Sequence, residues 1–265
     1  MKRLFICTLL AGALFISCEK SENGSQIGDR LVKSVEIIIP DEGIITYDFR
    51  YNDKNKLSEM SIFYDGNEIT HSEYYYSDNT IIMNSNEEEE WEYVWKLNSR
   101  RQINQLTYNV DYGVMTTDYY YDGDGLLSYK EKRYHEDDYS CNEKISYTRK
   151  DGNVITSTYF YNGNEKFKEY FTYTDNINKA NLDLLAIISR HFCEAGYPCN
   201  FYELDRSVFT SFENRNLLRT YQYEDYDYSV VNLNYDFDKD GYIVKIDAYY
   251  ADDNELCVSA KVNYL

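Results

Sequence analysis

The sequence predicts a mostly-β fold: a large antiparallel meander of about fifteen strands, curved or closed into a barrel-like sheet, with one amphipathic helix. Three observations carry the prediction. An aromatic residue, a short run rich in Asp, Asn and Gly, and then a bulky apolar residue recur along the chain, with neighbouring starts one strand and one tight turn apart. Tyrosine accounts for 31 of 265 residues, with only 12 Gly and 2 Pro, and Tyr suits half-buried strand positions because its large ring ends in a polar tip. Strict alternation marks the C-terminal part, where Leu256, Val258, Ala260, Val262 and Tyr264 oppose Glu255, Ser259, Lys261 and Asn263.

The elements follow in chain order. Residues 1–17, MKRLFICTLLAGALFIS, place Lys2 and Arg3 before an apolar run from Leu4 to Ile16, the layout of a signal peptide. That run is too short to span a bilayer as a helix, which needs about 20 residues. Leu14-Phe15-Ile16-Ser17-Cys18 then resembles a bacterial lipobox, which implies cleavage before Cys18 and acylation there, palmitate included. Residues 18–30 are polar and aperiodic, a flexible tether. A single β domain covers 31–265. Its phrase reads Tyr51-NDKNK-Leu57, Phe63-YDGNE-Ile69, Tyr121-DGDGL-Leu127, Tyr161-NGNEK-Phe167, Phe237-DKDGY-Ile243 and Tyr250-ADDNE-Leu256, with weaker copies at Tyr76 and Thr148. The exception is LDLLAIISRHFC, whose apolar stripe predicts a helix near 178–194 that packs on the sheet or plugs an opening in it.

The phrases YYYDGDGLLSY and YDFDKDGYIVKI resemble the YD/RHS hairpin repeat. Together with the lipobox and the Tyr-rich meander, the chain resembles a family of Bacteroides-type lipoproteins described as domains of unknown function with a porin-like fold. That resemblance implies a fold and no activity. The chain departs from the RHS pattern by lacking an Arg after the Gly and by its helical insertion.

Charge narrows the function. A net charge of −19 with 28% charged residues opposes a phosphate-backbone partner, whose affinity comes from Lys and Arg, and no nucleic acid is expected. A barrel spanning the membrane needs an apolar outward face on every strand. The stretch Leu126–Tyr134 has Glu131 and Arg133 on one face and Lys130 and Lys132 on the other, so neither face suits hydrocarbon. Membrane contact is expected through the lipid anchor alone.

Candidate sites are few. Asp236, Asp238, Asp240 and Asp247, in DFDKDGYIVKID, match the spacing of a calcium loop, although an acidic hairpin turn explains the same residues, and no cofactor is otherwise expected. Cys193 and Cys199 are close enough for a local disulfide, with free buried thiols as the alternative. No GxSxG, HExxH, CxxC or phosphate-cradling loop occurs, and no catalytic residue is assigned; His71, His135 and His191 are scattered. Trp91, Trp95 or exposed tyrosines could stack on sugars, or form cross-strand ladders. The expected product is a cell-envelope, outer-membrane-anchored lipoprotein with no enzymatic activity, a module that binds a glycan or an envelope protein. The alternative is a polysaccharide hydrolase with paired carboxylates in a concave face.

Overall fold

The computed structural model describes residues 30–86, 91–110, 113–136, 139–179, 214–224 and 230–265. The signal peptide, Cys18, most of the tether, the Cys193–Cys199 pair and nearly all of the expected helix lie outside them; the described residues contain no helix. They form sixteen strands: β1 Val32–Ile39, β2 Gly43–Tyr51, β3 Leu57–Tyr64, β4 Asn67–Tyr76, β5 Thr80–Ser85, β6 Trp91–Leu97, β7 Ile103–Val110 and β8 Gly113–Tyr121. The second half comprises β9 Leu127–Glu136, β10 Tyr139–Lys150, β11 Asn153–Tyr161, β12 Asn164–Ile177, β13 Asn216–Tyr223, β14 Val230–Phe237, β15 Ile243–Tyr250 and β16 Leu256–Tyr264. Each strand pairs antiparallel with the next, and β1 pairs with β16, closing the barrel. The expectation of a curved or closed meander resolves to closure.

Alternation sets inside from outside. On β2, Ile45, Tyr47 and Phe49 are buried, whereas Ile44, Asp48 and Arg50 are exposed. The inward side chains of all sixteen strands contribute to one contiguous apolar core. Sixteen strands can enclose a water-filled channel, yet here Ile37, Tyr47, Ile62, Trp95 and Leu127 are all at most 1% exposed. The barrel interior is a packed core.

Most copies of the aromatic phrase resolve into two turn geometries at opposite ends of the barrel; the five-residue connection 251–255 and the two-residue turn Asp151-Gly152 sit at the ends opposite to their length class. At one end, five-residue turns 52–56, 98–102, 122–126 and 238–242 share one construction. The side-chain oxygen of Asn52, Asn98, Asp122 or Asp238 accepts the backbone N–H groups two and four residues on. The fourth turn residue takes a positive φ: Asn55, Arg101, Gly125 or Gly241. Each of these turns is followed by a register shift, so the first buried residue of the new strand and the next lie three apart, as in Leu57 and Met60, or Ile243 and Ile246. The 98–102 turn follows Leu97, not an aromatic, which hid it from the sequence pattern. Turns of two residues, such as Asp65-Gly66 and Asn162-Gly163, have both residues at positive φ, the conformation whose twist matches a hairpin. These two lie at the other end.

Tyrosine has a specific task at the five-residue-turn end. Its hydroxyl, on the last or a late residue of an even strand, donates to the carbonyl at or near the start of the preceding odd strand. The five instances are Tyr51 to Val32 (2.7 Å), Tyr121 to Ile103 (2.6 Å), Tyr173 to Val154 (2.7 Å), Tyr235 to Leu218 (2.5 Å) and Tyr264 to Ile243 (2.8 Å). Bulges leave carbonyls without ladder partners, and the tyrosine hydroxyl satisfies one in each hairpin. Burial pushes the Tyr51, Tyr76, Tyr235 and Tyr264 phenols well above their ordinary range.

Two outcomes follow for stability. Tyr51→Phe and Tyr121→Phe are each expected to cost about 1 kcal/mol in chemical denaturation, and, lying six strands apart, to add in the double variant; no loss in either would remove the hydroxyl from its assigned role. Because the folded-state phenols ionise above the unfolded value of about 10, their stabilisation is complete below that pH and falls as pH rises further. Urea midpoints measured from pH 8 to 11 should fall above about pH 10, with tyrosinate absorbance appearing together with unfolding; full ionisation of a still-folded barrel near pH 10 would contradict this.

Candidate functional site

Three surfaces are available for function: the lumen, the two rims and the outer wall. The lumen is apolar along β1–β3 and β14–β16, where Val35, Ile37, Phe49, Ile62, Leu233 and Val262 are buried. Across β8–β13 it turns polar: Thr117, Lys130, Lys132, Ser157 and Glu169 are all buried. Glu169 accepts hydrogen bonds from Ser157 Oγ and from Tyr221 Oη, the latter at 3.0 Å, and Glu143 stands opposite Lys132 in the β9–β10 register. Burying such groups is tolerated only where they are paired or hydrogen-bonded, and the Glu169 bonds tie β11, β12 and β13 together. Lys130 and Lys132, which the sequence could not assign to a side, both point inward.

The rims differ in charge. Among the connections at the end away from the five-residue turns, 40–42, 65–66, 86–90, 111–112, 137–138, 162–163, 224–229 and 251–255, the sequence contains no Lys or Arg and many acids, including Glu87–Glu90. The opposite rim mixes signs, with Lys54, Arg100, Arg101 and Lys239 among its turn residues. Arg30 enters there, its guanidinium on Asp238 at 2.7 Å and also on Asp240.

That ion pair decides how the calcium-like spacing is used. One Asp238 oxygen caps the turn and the other meets Arg30; the Tyr242 and Asp240 backbone N–H groups and then Arg30 hold its carboxyl below the ordinary range. Asp240 also pairs with Arg30. Asp247 faces outward from β15, bound to Lys245 at 2.7 Å and to Ser259 Oγ at 2.6 Å. Asp236 sits on β14, paired in register with Lys245. The structure does not bring the four carboxylates together, and among the described residues no group of His, Cys, Asp and Glu is placed to hold a metal.

Ion pairs stand on the outer wall, three of them mid-strand and one beside the 52–56 turn. Asp118 pairs with Arg133, Glu131 with Lys144 (3.8 Å), Arg50 with Glu59 (2.8 Å) and Lys261 with Glu36 (2.7 Å). On a transmembrane barrel each Lys or Arg at mid-membrane depth costs about 2–4 kcal/mol, so this wall is built for water. The register also sets carboxylates side by side, Asp118 beside Glu131 and Glu59 beside Glu73, but they lie on the convex wall, three of the four beside cations, rather than in a concave face. His71 joins this wall, its Nδ1 3.0 Å from Ser61 Oγ.

Other expected candidates divide. Trp95 is 1% exposed and stacks against Tyr93, so it serves the core and offers no sugar platform. Among the described residues Tyr75, Tyr120 and Tyr170 are the exposed tyrosines. The side chains of Trp91, His135 and Cys141, and residue His191, lie outside the described residues. Cys257 is a buried free thiol pushed up to about 12, chiefly by burial, which keeps it protonated and unreactive at neutral pH. Replacing Glu169 with Leu should strand two buried hydroxyls and cost about 1–3 kcal/mol in urea unfolding, with Glu169→Gln milder; equal stability of the Leu variant would show that the cluster does not hold these strands.

No family model matches the chain, and no curated protein matches it. Solved structures do. The chain is similar to a porin-like protein from Bacteroides uniformis, at 13% identity and a TM-score of 0.64, covering 88% of this chain and 97% of that one. It is similar also to a porin-like protein from Bacteroides vulgatus, at 16% identity and a TM-score of 0.55, covering 88% and 98%. The likeness is one of fold: the closed antiparallel barrel is shared along nearly the whole length of both.

Proposed function

We propose that this protein is a lipid-anchored component of the cell envelope whose barrel acts outside the hydrocarbon layer as a binding or assembly module for a glycan or an envelope protein. The observation that carries the reading is the inversion of polarity: ion pairs on the outer wall and a packed apolar core inside. A barrel of that polarity has no lipid-facing band and needs a separate anchor, which the lipobox at Cys18 supplies. Two or three acyl chains suffice for stable attachment. The tether leads to Arg30 at the mixed-charge rim, so the acidic rim points away from the bilayer. The porin-like name of the similar Bacteroides structures supports an envelope setting, while the wall chemistry separates this chain from a conducting pore.

Metabolic labelling tests the anchor: palmitate should enter the wild-type protein and be lost in Cys18→Ala, and label retained by the variant would overturn the lipoprotein reading. A glycan array and an envelope pull-down with the mature protein test the module, and turnover of any polysaccharide would replace it with a hydrolase.

A further inference from the structure

The outer wall is not charged everywhere. From β10 to β14 two neighbouring rows lack Asp, Glu, Lys, Arg and His. In the first, Thr148, Thr156, Tyr170 and Gln222 stand side by side across four strands. In the second, Thr172, Thr220 and Asn232 continue the face, with the two threonine hydroxyls 2.7 Å apart. Every one of these side chains is exposed or half-buried. Four strands span about 14 Å and the rows lie about 7 Å apart. Elsewhere the wall is salted with ion pairs: Glu36 to Lys261, Arg50 to Glu59, Asp118 to Arg133.

We propose that this uncharged window on β10–β14 is a binding surface for a neutral polysaccharide. The proposal rests on the reading of the barrel as a binding module and names its ligand class and site. Charge complementarity selects the ligand. A chain of net charge −19 repels acidic glycans and nucleic acids, and a cationic partner would seek the acidic rim and not two rows whose own residues carry no carboxylate, with Glu224 only at their margin. A protein partner usually anchors on a desolvated cluster of aromatics and Arg, whereas this face presents hydroxyls and amides, groups that both donate and accept. A neutral sugar chain matches that inventory, hydroxyl to hydroxyl and amide. Tyr170, 38% exposed, supplies an aromatic surface for the apolar face of a sugar ring. Its hydroxyl is steadied by Glu224 at 3.3 Å, which leaves the ring ordered before binding. At the far edge Tyr129 is enclosed by Tyr120, centroids 4.3 Å apart, and by Lys144 at 4.1 Å, a stack that closes the window on that side.

The test uses the mature full-length protein in detergent, with affinity electrophoresis and calorimetry against neutral polysaccharides (xylan, mannan, mixed-linkage glucan, dextran) and acidic ones (alginate, polygalacturonate). At least one neutral polymer should bind; Tyr170→Ala and Thr172→Lys should each weaken it about tenfold, and Thr46→Lys, on the opposite wall, should leave it unchanged. Circular dichroism of each variant checks that the barrel is intact. Binding confined to acidic polymers, binding insensitive to Tyr170→Ala and Thr172→Lys, or no glycan binding at all would overturn the window as a glycan site. In those cases the module reading itself stands or falls separately, on whether the pull-down yields an envelope protein.

Discussion

Closure between the first and last strands is the constraint on which everything else depends. The β1–β16 ladder runs from Val32 opposite Tyr264 to Ile38 opposite Ser259. Without it the meander would be an open sheet with two free edges, and sheets of this width curl or expose unpaired backbone to other chains. With it, an inside exists. The alternation along each strand then acquires meaning, because one face of every strand enters a common core while the other must satisfy water. Closing it joins residues more than two hundred positions apart, a costly contact to form. The five-residue turns close hairpins locally, and the tyrosine hydrogen bonds tie five consecutive-strand pairs together, so much of the sheet forms from short-range contacts.

The tyrosine excess and the acidic excess therefore have different causes. Tyrosines at the five-residue-turn end are a repeated hydrogen-bonding device, ring in the core and hydroxyl on a bulge carbonyl. Acids concentrate at the opposite rim, where no Lys or Arg interrupts the connections. The result is a barrel with an axis: a mixed-charge, hydrogen-bonded end that holds Arg30, and an anionic end opposite it.

The strands were legible in the sequence because period two and turn residues are local signals, as at Tyr121–Leu127 and throughout β15 and β16. Closure was not, since nothing local in Val32–Ile39 names Leu256–Tyr264 as its partner. Nor was the side taken by Lys130 and Lys132: charges alternate on both faces of β9, and only their burial in the closed barrel, with Glu143 opposite Lys132 on β10, places them inward. The aromatic phrase read as one repeat conflated two turns, because Asp-x-x-Gly and Asp-Gly look alike until backbone φ and the Asx hydrogen bonds separate them. The DFDKDGYIVKID spacing matches a cation loop because capping a turn and ligating a metal call on the same oxygens; Arg30, over two hundred residues away, pairs with Asp238 and Asp240. Trp95 illustrates a third limit, for an indole suited to either a sugar or a core declares its role only through burial.

The placement of Arg30 has a mechanical meaning. Any pull through the tether reaches the barrel at the first residue of β1, directed along that strand. Because β1 is flanked by β2 on one side and β16 on the other, it cannot be peeled away one hydrogen bond at a time from a free margin. Both ladders carry the load in shear at once, and the Arg30 clamp on the 238–242 turn takes the first share. Pulling the first strand out of the barrel therefore means breaking that double seam.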